Sequence, residues 1–197
     1  MINTQSGDIV IVHSHNFTAR GIQFFMNLWR WLHLDFKPFY KEIANHDAIG
    51  YKTGFVEEAI KEGTKINNVN TAYPQGCNKT VKVYRYNFTT EQIKAVEQMC
   101  IMLKDTPYQF SNLLVYPLYI LTFGLVWLGK KGSDSFNKEY CSELISTIIY
   151  YATNPLIAND GLDRTTHKYF MKFWSSSPYK VQKWCEEYCQ LISIDEL

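Results

Sequence analysis

Cys141 lies in the run Tyr140-Cys141-Ser142-Glu143-Leu144-Ile145, and it is the residue whose placement suggests chemistry most directly. Leu144, Ile145, Ile148 and Ile149 follow it at the i+3, i+4, i+7 and i+8 spacing of one helix face. The sulfur therefore falls in the opening turn of an apolar-striped helix, with Asn137 as the expected N-cap. Unpaired backbone N–H groups and the positive end of the helix dipole meet there, and both favour thiolate over thiol. That suits a nucleophile. It suits a small core side chain too, because free cysteine is among the most buried residue types.

A cysteine nucleophile needs a base within hydrogen-bond reach and works better when a third group holds that base. The chain offers five histidines. His13 and His15 form His-x-His on one side of a strand end, a spacing zinc can use. Phe17 stands where a metallo-hydrolase would place an aspartate, so no metal is expected. His33 falls on the rim of an amphipathic helix and His167 in a basic, aromatic tail. His46 heads the strand-like run His46-Asp47-Ala48-Ile49-Gly50-Tyr51, with small Ala48 and Gly50 on its own face leaving room beside the imidazole. Across the Lys52-Thr53-Gly54 turn stand Glu57 and Glu58, and only one of them can share that face. A three-residue loop selects Glu58, a two-residue loop Glu57, and periodicity alone does not choose.

The elements that must hold these residues read as α+β. Ile9-Val10-Ile11-Val12 forms a buried strand after Gly7-Asp8, Arg20 to Leu34 an aromatic amphipathic helix, 45–51 and 55–60 a hairpin, and Val81 to Tyr86 a further strand. Gly63 to Lys79 reads as loop. Thr89-Thr90-Glu91-Gln92 opens a helix to about Lys104, and Ser177-Pro178 opens the last one, carrying Val181, Trp184, Cys185 and Tyr188. The uncharged run from Phe110 to Leu128 is near membrane-crossing length, but Pro117 and Gly124 interrupt it, so it reads as a buried or interfacial helical hairpin.

With 197 residues, one domain is expected over 1–197, with an apolar insertion at about 110–130. A net charge of +1 supplies no field for steering nucleic acid. Five cysteines at irregular spacing argue against a disulfide framework, and Cys185 with Cys189 read as core packing. The first residues show no secretory signal, so a reducing, cytoplasmic setting is expected, with membrane association through 110–128 kept open.

Gly7-Asp8-Ile9-Val10, Asn45-His46-Asp47-Ala48-Ile49-Gly50, Val56-Glu57-Glu58-Ala59, Pro107-Tyr108 and Tyr140-Cys141-Ser142-Glu143-Leu144, in that order, resemble the circularly permuted NlpC/P60 cysteine hydrolases of the papain-like superfamily. The similarity is nearest to the YiiX-like branch and more distant to the lecithin:retinol acyltransferase-like enzymes. Two departures stand out: Asp47, where a small apolar residue usually follows the histidine, and the 110–128 segment. The resemblance implies a small antiparallel sheet packed on the cysteine-bearing helix, with Cys141 as nucleophile, His46 as base and Glu58 as orienter. Tyr108 and Tyr140 are candidate oxyanion or substrate contacts, and no cofactor is implied. It implies acyl transfer on an amide or peptide, with acyl-lipid chemistry at a membrane surface or a non-catalytic ligand-binding module as alternatives.

Overall fold

A computed structural model of the chain describes residues 1–15, 20–21, 24, 27–28, 44–108, 141–154, 156, 161–171 and 177–197. The strands are β1 (Ile9–Ser14), β2 (His46–Lys52), β3 (Phe55–Ile60), β4 (Gly63–Asn68), β5 (Lys79–Arg85) and β6 (Gln190–Glu196). The helices are α1 (Val69–Ala72), α2 (Thr90–Leu103), α3 (Cys141–Ala152), α4 (Gly161–Phe170) and α5 (Pro178–Tyr188). The six strands form one sheet in the order β4-β3-β2-β1-β5-β6, and every neighbouring pair is antiparallel. The result is a mixed α+β architecture. Among the described residues no helix is long and apolar enough to cross a membrane.

Strand alternation divides the interior. Ile9, Ile11, Ile49 and Ala59 face the core built with α2, α3, α4 and α5, while Val10, Val12, Ala48 and Val56 face a smaller cluster with Ile2, Val69 and Tyr73. Both faces are covered, which explains why β1 reads as a continuous apolar run. The α3 stripe behaves as its spacing predicts: Leu144, Ile145, Ile148 and Ile149 are fully buried, each stabilising by about 2 kcal/mol. Thr89 and Gln92 close a reciprocal capping box at the start of α2, and Ser177 caps α5 with Pro178 in its first turn.

Four elements depart from the sequence expectations. Gly63 to Lys79 is not loop throughout but contains β4 and α1. Beyond the cysteine helix lie α4 and β6. β4 is an edge strand, and polar Lys65, Asn67 and Asn68 disguise it. The buried positions of α4 are Asp163, Thr166 and Phe170, two of them polar, so Phe170 alone marks its inner face as apolar; Tyr86 donates its hydroxyl to Asp163 at 2.9 Å. The proposed N-cap Asn137, the 110–128 segment and His33 lie outside the described residues, as does most of the expected 20–34 helix.

The β2–β3 hairpin closes around Thr53-Gly54, with Gly54 at φ +77. Lys52 pairs with Phe55, and the register then shifts by one residue before Gly50↔Val56, Ile49↔Glu57 and Ala48↔Glu58. A left-handed glycine closing a bulged turn gives the pairing of a three-residue loop. Gly50 itself is required by crowding: a Cβ there would lie 2.0 Å from the Gln5 carbonyl oxygen.

Candidate active site

That register decides which glutamate meets the histidine. Glu58 lies opposite Ala48 and shares the face of His46, and His46 Nε2 is 2.9 Å from Glu58 Oε2. Glu57 turns to the helix side, where the Cys100 thiol of α2 is its polar neighbour.

The carboxylate partner of His46 is itself held from several sides. Tyr73 donates its hydroxyl to Glu58 Oε2 at 3.0 Å, and Asn67 Nδ2 donates to Oε1 at 3.0 Å. Both donors come from the segment expected to be loop, so sequence reading missed them; the Asn-rich edge strand carried no apolar alternation to reveal it. Burial would lift the Glu58 carboxyl, but the His46 contact and charge, with Asn67 and Tyr73, outweigh it and hold the group below its ordinary value. An ionised Glu58 fixes the ring through Nε2 and leaves Nδ1 for proton transfer. The His46 side chain is 22% exposed, at the mouth of the sheet.

At this mouth the sheet opens. β2 stays paired with β1 as far as His46, and β3 with β4 as far as Ile60, but the β2–β3 ladder begins only at Ala48↔Glu58. Cys141, the first residue of α3, is seated here against Asp47, the residue after His46. The backbone N–H groups of Asp47 and Ser142 favour its thiolate, but burial and the Asp47 carboxyl together push the thiol well above its ordinary value. The helix-dipole expectation is thus overruled: partial charges at a helix start do not offset complete desolvation beside an acid. Cys141 rests as a thiol.

The structure therefore joins His46 to Glu58, places Cys141 beside Asp47, and turns His46 and Asp47 to opposite faces of β2. Among the described residues, no hydrogen bond links Cys141 to His46. Asp47 is fully buried, and burial, partly offset by His46 and Cys141, raises its carboxyl to about 7. Tyr108 packs against the same core, and its phenol is lifted by burial and by the nearby Cys141 and Asp47 charges. Tyr140 lies outside the described residues.

The other histidines serve structure where they are described. His13 is buried in β1, His15 Nε2 lies 3.2 Å from Thr80 Oγ1, and His167 stacks on Tyr150 and hydrogen-bonds its carbonyl at 2.9 Å. Among the described residues no group of three or more His, Cys, Asp or Glu is arranged to hold a metal. Asp8 of the Gly-Asp motif is fully buried and receives Arg85 Nε and an Arg85 terminal nitrogen at 2.8 and 2.9 Å, a bidentate pair that ties β5 to the start of β1.

Fold and site together define a mixed α+β protein whose cysteine helix packs on an antiparallel sheet that carries a half-buried histidine paired with a buried glutamate. No family model matches the chain, and no curated protein matches it. Among solved structures it is similar to the metalloprotein YiiX from Escherichia coli O157:H7 (DUF1105), at a TM-score of 0.57 and 17% identity over 98% of this chain and 98% of that one. At that identity the likeness is one of fold.

Proposed function

We propose that this chain is a cysteine-dependent hydrolase of the amidase or peptidase type, on a permuted papain-like fold, with Cys141, His46 and Glu58 as its catalytic group. The observation that carries the reading is the His46 contact to a buried, ionised Glu58 that two further donors hold in place. A surface histidine has no need of such a carboxylate, whereas a general base does.

Cys141 Sγ gives its proton to His46 Nδ1 through the opening between β2 and β3, directly after a side-chain rotation or by way of one water. Sulfur then bonds to the substrate carbonyl carbon, and the π electrons move to oxygen. The backbone N–H groups in the first turn of α3 are the main-chain donors for that oxyanion, and the Tyr108 hydroxyl on the same core is the side-chain donor. Collapse expels the amine, which takes the proton from His46, and leaves a thioester on Cys141. Water, deprotonated by His46, releases the acid and restores the thiol.

A p-nitrophenyl acetate burst tests this without knowledge of the natural substrate. About one equivalent of p-nitrophenol should appear rapidly, with acetyl mapped to Cys141, and His46→Ala should slow the burst by about 10²-fold or more. A folded protein with no burst, or acetyl spread over all five cysteines, contradicts a hydrolase and leaves a binding module on the same fold.

A further inference from the structure

Asp47 is an expensive residue to keep. It is the second residue of β2 and is fully buried, and neither carboxyl oxygen is hydrogen-bonded to nitrogen or oxygen among the described residues. A buried carboxyl with no nitrogen or oxygen partner destabilises the fold, which a valine would avoid. The Cys141 thiol is its side-chain hydrogen-bond neighbour, and the Asp47 backbone N–H is directed at the same sulfur.

We propose that Asp47 is a positioning residue for the nucleophile: its carboxyl, seated against the Cys141 sulfur, donates a hydrogen bond to the thiolate while protonated and holds the cysteine as a thiol once ionised. The inference rests on the reading of Cys141 as nucleophile. The two groups compete for one proton. At pH values below the ionisation of the pair, the thiolate fraction rises tenfold per pH unit; above it, carboxylate with thiol dominates and the fraction levels off.

The other ionisable groups that interact with the pair are His46 on β2, Tyr73 after α1, Tyr108 and, for Asp47, Cys185 on α5; His13 and Glu57 share its face of the sheet, and Glu143 follows on α3. His46 is the one beside the reacting sulfur in the proposed mechanism, so its own titration must be separated from that of Asp47.

The test is the pH profile, from 5 to 9, of Cys141 alkylation by iodoacetamide, read by peptide mapping of the full chain. Wild type should rise to about pH 7 and then flatten. His46→Ala should be slower and keep a break, moved to higher pH because the imidazole that lowers the Asp47 carboxyl is gone. Asp47→Asn should lose the break and exceed wild type by about tenfold or more at pH 9, since one pH unit of extended rise is a factor of ten. An Asp47→Asn profile that superimposes on wild type, while Cys141 labelling still depends on His46, overturns this inference and leaves the nucleophile reading intact. Labelling of Cys141 no faster than the other cysteines overturns both. If Asp47→Asn fails to fold, the His46→Ala profile decides: a persisting break supports the pairing, and an unbroken rise contradicts it.

Discussion

Three carboxyl groups on adjacent strands take different charge states because alternation sends them to different faces. Glu58 meets His46, Asn67 and Tyr73 and stays ionised; Asp47 and Glu57 face the helices, where burial lifts them to about 7 and about 8. The consequence for stability has opposite signs. Asp47 and Glu57 keep a proton in the fold where the unfolded chain, with ordinary values of 3.8 and 4.5, has released it. Their contribution is fully present below those values and is lost as pH rises toward 7 and 8, by a few kcal/mol each in order of magnitude. Glu58 works the other way: its contribution is present above its ordinary value and is lost as pH falls through the lowered one. Thermal melts should therefore show a higher Tm at pH 5 than at pH 8, with the slope reduced in Asp47→Asn or Glu57→Gln; a Tm that rises from pH 5 to 8 contradicts these assignments. Glu58→Gln should leave the fold in place and slow acyl transfer by about 10²-fold or more, because the imidazole loses the charge that orients it. Cys141, His46 and Glu58 were legible as candidates in order and type. Asp47 was visible only as a departure from a pattern, since one acidic letter does not disclose that its neighbour will be a buried sulfur.

At the scale of elements, the hairpin between β2 and β3 decides which carboxylate meets His46. Two loop lengths were compatible with the sequence, and the bulged turn at Gly54 gives the pairing that brings Glu58 to His46. Two glycines of this hairpin are needed for different reasons. Gly54 has open space around it, so Gly54→Ala should cost only the backbone term, about 1 kcal/mol. Gly50→Ala drives a methyl into the Gln5 carbonyl and should cost about 3 kcal/mol or more. Urea denaturation ranks them, and the reverse order contradicts the register described. β1, β2, β3, β5, α2, α3 and α5 could be read from apolar period and caps. β4, α4 and β6 could not: a polar edge strand, a helix that buries Asp163 and Thr166, and a strand whose residues are all exposed or half-buried lack the apolar contrast on which such reading depends.

Across the whole molecule, one sheet and the helices on its inner face bring Cys141 against Asp47, residues nearly a hundred positions apart, at the end where β2 and β3 part, with His46 on the other face of β2. The class of fold was legible from the order of strands and helices and from spaced short motifs. The placement of the cysteine on the face opposite the histidine was not, because it depends on how α3 meets the open ladder and on no local pattern. The central claim is that this opening makes Cys141 a nucleophile served by His46. The most direct measurement is competitive labelling of the five free cysteines with one electrophilic activity-based probe at neutral pH, in wild type and His46→Ala. The account predicts that buried Cys141 is labelled well ahead of the partly exposed Cys77 and Cys189, and that the substitution suppresses it. Labelling that follows exposure alone and is unchanged in His46→Ala would contradict it.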